Sequence, residues 1–282
     1  MIKRFQSQSL DVRTWLTLGF ALYELKSYRA ALEKFDRALT LDPDNLEALM
    51  HRGYAYFQLK DYGSAIADFQ AVLAAAPKHP LAWCGQGTVQ LKQGLYPSAV
   101  ESFDRSLFYA PTASKTWYNR GNALLQLEDY KAAYKSFTRA AELNAKDHRT
   151  WYNRAIALAA MDSYAEALDS LDQSLSLVPN SYVAWNYRGF LLNRLGRYDD
   201  ALMCFEQSLS HHPINPNAWY GLATVFAHQG NVDATVQNLR QAIKLNPNLY
   251  RLMAQQDASF DRVRRQPTLR RLLEPLTATR LG

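Results

Sequence analysis

The residues whose types could support catalysis or metal binding are few, and their spacing serves neither. Cys84 and Cys204 are far apart, and no histidine stands at a readable spacing from Cys84 to act as its base. Two cysteines also exclude a disulfide scaffold and a multi-cysteine zinc module. Cys84-Gly85-Gln86-Gly87 begins like a dinucleotide loop but lacks the third glycine, and it falls inside a predicted helix. Lys26-Ser27 and Lys115-Thr116 lack the preceding glycines of a phosphate loop, and no His-Glu-x-x-His stretch occurs. His211-His212-Pro213 has no carboxylate or cysteine at ligand spacing, and histidine there suits the negative end of a helix dipole. Asp42-x-Asp44 reads as a turn, since Ala76, Ala110 and Val178 stand at the equivalent position elsewhere. The expectation is no enzyme, no cofactor and no metal.

Recognition chemistry is better represented. Thr116-Trp117-Tyr118-Asn119-Arg120-Gly121-Asn122 and Thr150-Trp151-Tyr152-Asn153-Arg154-Ala155 repeat one pattern. A carboxamide carries both a donor and an acceptor, so it can hold a peptide amide at two points. Tyrosine beside it adds rigid apolar area at little entropic loss.

These residues sit on a ladder. Trp15, Trp83, Trp117, Trp151, Trp185 and Trp219 are spaced by multiples of 34, with Leu49 on the missing rung. Four residues on runs the column Gly19, Gly53, Gly87, Gly121, Ala155, Gly189, Ala223. Next come Tyr28 to Tyr198 with Val232, then Ala31 to Ala201 with Thr235. Phe35, Phe69, Phe103, Phe137, Leu171, Phe205 and Leu239 form a further column. The unit closes on Pro43, Pro77, Pro111, Ala145, Pro179, Pro213 and Pro247. A fixed period of this length marks a repeat architecture.

Within residues 12–45, Trp15, Leu18, Leu22 and Leu25 step by three and four, which predicts one helix face. Ala31, Leu32, Phe35, Ala38 and Leu39 predict a second, and Lys26-Ser27-Tyr28 breaks the phase between them. Gly19 and Ala31 are small where the two helices must approach, and Pro43 follows the second helix. Neither helix can bury its face alone, so stacked neighbours must share a core.

A unit reading Trp-x-x-Leu-Gly, then Tyr, Ala, Phe and Pro, resembles the tetratricopeptide repeat (TPR). The resemblance covers residues 12–249 as seven units: 12–45, 46–79, 80–113, 114–147, 148–181, 182–215 and 216–249. It implies an all-α solenoid, a right-handed superhelix of antiparallel helix pairs, after a short leader at 1–11. The pattern stops at Pro247, and residues 250–282 are expected to cap the array. Residues 248–256 read as a helix, Ser259 as the cap of a short one, and Pro267 as the first residue of another. Phe260, Val263, Leu269, Leu272 and Leu273 would pack on the last repeat, and the Asp-x-x-Phe-Asp tail is similar to those after bacterial TPR arrays. Asn144-Ala145-Lys146-Asp147 lacks the proline, so the helix before it is open to running on.

The resemblance also implies a site. In this family the first helix of each repeat lines a concave groove, at positions one, two and five beyond the tryptophan. Here those positions include His51, Tyr54, Tyr118, Asn119, Asn122, Tyr152, Asn153, Asn186, Tyr187 and Tyr220. Lys115 and Arg149 would stand near the groove. Asparagine at the places of Asn119 and Asn153 often grips a ligand backbone in the family, although Tyr-Asn is also near its consensus. The family's carboxylate clamp is not expected, because Leu16 and Phe20 occupy its first positions. Phe20, Tyr54, Phe57 and Leu91 would make the first half of the groove apolar and leave its centre polar.

Charge and targeting bound the rest. Net charge is +6, of which residues 251–282 hold +4 and residues 1–13 hold +2, so the repeats are neutral. The expected function is a non-enzymatic scaffold holding a protein or peptide in its groove, with no small-molecule substrate. The alternative is binding of nucleic acid or an anionic membrane surface through Arg262, Arg264, Arg265, Arg270 and Arg271. The neutral repeats argue against nucleic acid, while peripheral membrane contact stays open. No signal-peptide core, spanning segment or glycosylation sequon appears, and the expected location is the cytoplasm.

Overall fold

Local sequence dictates a regular alternation of two helix types. The structure, a computed structural model, describes residues 11–274. They fall into two compact units divided between Ala145 and Lys146, at the rung where proline is missing. The first unit holds α1 (Val12–Glu24), α2 (Tyr28–Leu41), α3 (Leu46–Gln58), α4 (Tyr62–Ala75), α5 (Pro80–Lys92), α6 (Tyr96–Tyr109), α7 (Ser114–Gln126) and α8 (Tyr130–Leu143). The second holds α9 (His148–Ala160), α10 (Tyr164–Leu177), α11 (Tyr182–Arg194), α12 (Tyr198–His211), α13 (Pro216–Gln229) and α14 (Val232–Leu245). It ends with α15 (Pro247–Gln256), a 3-10 turn (Ala258–Phe260) and α16 (Pro267–Leu273). Within each unit every odd helix packs on the even helix that follows. No strand occurs among the described residues.

Each odd helix ends the same way. Lys26 is left-handed at φ 60°; its N–H donates to the carbonyl of Tyr23 and that of Ser27 to Leu22. This pair of bonds satisfies the last carbonyls and reverses the chain. Lys60, Gly94, Glu128, Asp162, Gly196 and Gly230 repeat the positive φ at the same place in their own units. The break read at Lys26-Ser27-Tyr28 is therefore a left-handed turn. The other junction is fixed by a capping side chain except before α7, where Ala113 stands. Asn45 caps α3 by accepting from the N–H of Ala48 at 2.9 Å. Helix α8 stops at Leu143 and Asp147 caps α9, accepting from the N–H of Arg149 at 3.1 Å, so the helix does not run on.

The core is the phenylalanine column. Phe35, Phe69, Phe103 and Phe137, with Leu171, Phe205 and Leu239, are almost wholly removed from water. A methyl group at Gly19 would stand 2.4 Å from Phe35 Cε1, so only glycine admits that ring. Two expectations need correction. Leu18 is 40% exposed and Leu25 74%; the inner face of α1 runs through Leu16 and Gly19 instead. The tryptophans are half-buried and are not the core. Their rings cover the junction turns, where the indole N–H of Trp83, Trp117, Trp185 and Trp219 donates to the carbonyl of the proline six residues earlier.

An arginine column, three beyond the tryptophan rung, ties helices together. Arg52 on α3 donates to Asp36 on α2 at 2.8 Å and to Asp68 on α4 at 2.6 Å. Arg120 links Asp104 to Ser136, and Arg188 links Asp172 to Cys204. In each case one side chain bridges the second helices of two successive repeats.

In the second unit the tail closes the core. Tyr250, Ala254, Phe260, Val263, Leu269 and Leu273 are buried against residues of α13 and α14. The short turn is capped by Asp257, which accepts from the N–H of Ser259 at 2.8 Å, so Ser259 is not the cap. Arg264 donates to the carbonyls of Ala254, Gln255 and Asp257, and Arg262 to that of His228 at 3.0 Å.

Two stability effects are expected. Lys60→Gly relieves a left-handed lysine and should raise stability by about 0.5–1 kcal/mol in chemical denaturation. Arg52→Ala strands the buried carboxylate of Asp68 and should cost about 3 kcal/mol, most of which Arg52→Met with Asp68→Leu recovers. An Arg52→Ala chain as stable as the original would refute the clamp.

Candidate functional site

In the first unit, packing rather than openness governs the positions expected to face a groove. The position one beyond the tryptophan rung is buried at Leu16, Met50 and Cys84. The next position meets the phenylalanine of the preceding repeat. The ring of His51 lies 4.3 Å from that of Phe20 and 6.1 Å from that of Phe35. Burial there pushes the imidazole below its ordinary pKa, against a smaller opposing pull from Glu47. Tyr54 donates to the carbonyl of Leu81 at 3.2 Å and sets its ring edge on Phe69; burial raises its hydroxyl. Asn119 donates weakly to Thr88 Oγ1 at 3.4 Å, and Tyr118 packs 6.0 Å from Phe137. Asn122 is half-buried and Lys115 is exposed on the first turn of α7.

In the second unit the expected residues separate into two sets. The guanidinium of Arg149 makes a two-point pair with Asp147, the cap of its own helix, at 2.9 Å for each bond. Tyr152 packs 5.9 Å from Tyr187 with its hydroxyl raised by burial, and Asn153 is half-buried. Asn186, Tyr187 and Tyr220, by contrast, line one cavity of about 550 Å³ between α11, α13 and the start of the tail. A second cavity of about 270 Å³ shares Asn186 and Asn217 with it. Tyr187 stacks on Phe190 at 6.0 Å, and burial pushes its hydroxyl up to about 12.

The polar atoms of the larger cavity are not balanced. Asn186 Oδ1 and Asn193 Oδ1 are buried and accept no hydrogen bond. The orientation of Asn193 follows from its neighbour. The single hydroxyl proton of Thr224 goes to the carbonyl of Gly221 at 2.7 Å, so Thr224 can only accept from Asn193 Nδ2 at 2.9 Å. Asn193 Oδ1 is thereby left over. Tyr220 donates to Asp257 Oδ2 at 2.8 Å, which draws a tail carboxylate into the wall. Gly221 supports that wall: a methyl group there would meet Phe205 at 2.4 Å.

Sequence reasoning missed Asn193 and Asp257. Asn193 stands seven residues from Asn186, two turns along the same helix face, and that spacing would have found it. Nothing in the repeat period could indicate Asp257, which lies beyond it.

The cysteines and histidines do no visible chemistry. Burial raises the thiol of Cys204, whose sulfur accepts from Arg188 at 3.1 Å, while Cys84 is buried and accepts from Thr116. His212 packs 4.4 Å from Tyr182. Among the described residues no three His, Cys, Asp or Glu converge as metal ligands, and no helix is long and apolar enough to cross a membrane.

Comparison with known proteins gives a consistent pattern. A tetratricopeptide repeat model matches residues 16–80, 61–115 and 191–249, and a second one matches 114–147. A protein prenyltransferase alpha subunit repeat model matches 164–195. No curated protein sequence matches. Among solved structures, the C-terminal part of a TPR repeat-containing protein from Cytophaga hutchinsonii aligns with TM-score 0.66 and 14% identity, over 88% of this chain and 99% of its own. A tetratricopeptide repeat protein from Parabacteroides merdae aligns with TM-score 0.62 and 16% identity, over 86% and 97%. YrrB, described as a TPR protein with an unusual peptide-binding site, aligns with TM-score 0.58 and 21% identity, over 67% and 98%. At these identities the likeness is one of fold.

The depressed imidazole makes a pH prediction. Above the ordinary histidine value of 6.5, His51 is neutral in both states and costs nothing. As pH falls through that value the unfolded chain takes up a proton that the folded chain resists, so stability falls. His51→Gln should flatten the decline in unfolding midpoint between about pH 7 and pH 5; an unchanged slope would show that other groups set it.

Proposed function

The chain belongs to the tetratricopeptide repeat family, and from that premise we propose that it is a non-enzymatic scaffold that binds a segment of a partner protein. The contact is the groove face of the second unit, at the cavity of Asn186, Tyr187, Asn193 and Tyr220. One observation carries this reading: two buried carboxamide oxygens on α11 accept nothing. A buried acceptor without a donor loses roughly 1–3 kcal/mol relative to a satisfied one; a ligand that brings N–H groups recovers it once these side chains turn toward the cavity. The two residues are seven apart, which places their Cα atoms about 10 Å apart along the helix. The two adjoining cavities also run on either side of Asn186 and Asn217. An elongated peptide suits that spacing, and a compact metabolite does not. YrrB, similar in fold, is described with a peptide-binding site. Tyr152 and Asn153 would extend the contact along the second unit and not anchor it.

The alternative through the basic tail is less well supported. Arg262 and Arg264 are hydrogen-bonded to main-chain carbonyls, which leaves Arg265, Arg270 and Arg271 exposed.

A random dodecapeptide library displayed on phage and panned on the full chain tests the proposal. Selected peptides should bind the folded triple variant Asn186→Ala, Tyr187→Ala, Asn193→Ala at least tenfold more weakly. Equal binding to the variant, with circular dichroism unchanged, would sink it.

A further inference from the structure

We infer that the larger cavity of the second unit is a socket for an aromatic side chain of the partner segment, seated between Phe190 and Phe205, where an earlier repeat places a ring of its own. This rests on the peptide-binding reading and adds the chemistry of the anchor.

The first unit contains the filled arrangement. The imidazole of His51 stands edge-on to the ring of Phe20 at 4.3 Å and lies 6.1 Å from that of Phe35. Phe190, Phe205 and Gly221 occupy the columns of Phe20, Phe35 and His51 five repeats further on. All three border the cavity. The ring that would complete the set is missing because position 221 is glycine. A side chain rooted there cannot supply it, since a Cβ at 221 would stand 2.4 Å from Phe205. A ring that fills the place is therefore brought by another segment.

Glycine alone does not make such a socket. Gly85 stands in the same column, and there Tyr54, the counterpart of Phe190, is tied down. Its hydroxyl donates to the carbonyl of Leu81 at 3.2 Å, and its ring packs edge-on to Phe69 at 5.1 Å. Phe190 has no hydroxyl to be held by. It stacks instead on Tyr187 of its own helix at 6.0 Å and stays 45% exposed. An aromatic partner suits this wall better than an aliphatic one of equal size, because ring-on-ring contact adds roughly two- to twelvefold in affinity beyond burial. Met253, from the tail, lines the same cavity and offers a thioether, which packs well against a ring edge.

The displayed library, panned in parallel on the full wild-type chain and on the full Phe190→Leu chain, provides the test. Phe190 is exposed enough for the variant to keep its fold, which circular dichroism checks. The expected result has three parts. Phe, Tyr, Trp or His is enriched at least fivefold at one position of the wild-type pool and not of the variant pool. The tightest wild-type peptide, fluorescein-labelled and titrated by anisotropy, loses at least tenfold in affinity when that aromatic residue becomes alanine. Replacing it by cyclohexylalanine, which keeps the bulk without the π-face, weakens binding roughly two- to twelvefold on the wild type and leaves it unchanged on Phe190→Leu. A pool that needs the triple-variant residues but shows no aromatic preference would overturn this inference and leave peptide binding standing. So would a cyclohexylalanine loss of the same size on both chains. No selectable peptide, or peptides indifferent to the triple variant, would overturn both.

Discussion

In five of the seven repeats a benzyl ring from the even helix, removed from water, packs against the odd helix of its own repeat, and Phe35, Phe69 and Phe205 also meet the odd helix of the next. Phe35 meets Gly19 on one side and His51 on the other; Phe205 meets Gly189 and Gly221. Burying such a ring contributes roughly 2–3 kcal/mol, and its shape fixes how close the helices come. The rest of the structure follows from that contact. Small residues must stand four beyond the tryptophan, and after the first repeat the position two beyond it is a flat ring, a carboxamide or glycine. The left-handed turn after each odd helix is what returns the chain at the right distance to make the contact again.

Two polar devices act on top of this packing. Within each unit the arginine column bridges successive even helices, and its second partner varies: Asp68 for Arg52, Ser136 for Arg120 and Cys204 for Arg188. The guanidinium tolerates this variety because it presents five donors in a fixed fork. Four of the tryptophan indoles, those of Trp83, Trp117, Trp185 and Trp219, work at the other end of the repeat, where each seals a turn by bonding a proline carbonyl. Nearly every buried polar side chain in the described residues finds a partner, and the two oxygens that do not are on one helix, beside one cavity.

The tail illustrates how one segment can serve two ends. Its apolar residues complete the core of α13 and α14, as a terminal repeat requires. Its arginines mostly satisfy carbonyls at the ends of short helices. Asp257 does both kinds of work: it caps the 3-10 turn and faces the cavity through Tyr220. A segment that completes the core therefore also forms part of the cavity wall.

The 34-residue period determined the helix pairs, their turns and the phenylalanine core, because each is local helix geometry copied along the chain. Its groove columns include Asn186, Tyr187 and Tyr220, which border one cavity because a column on an odd helix stays on one face. It misjudged the tryptophans and the inner face of α1, because periodicity shows which residues share a face and not which face is shielded. The cavity was beyond its reach. Whether a carboxamide is free depends on what arrives from elsewhere: Thr224, thirty-one residues from Asn193, and Asp257, thirty-seven from Tyr220. Hydrogen-bond satisfaction belongs to the assembled neighbourhood, so only the tertiary structure decided that Asn193 Nδ2 is paired while Asn186 Oδ1 and Asn193 Oδ1 are not.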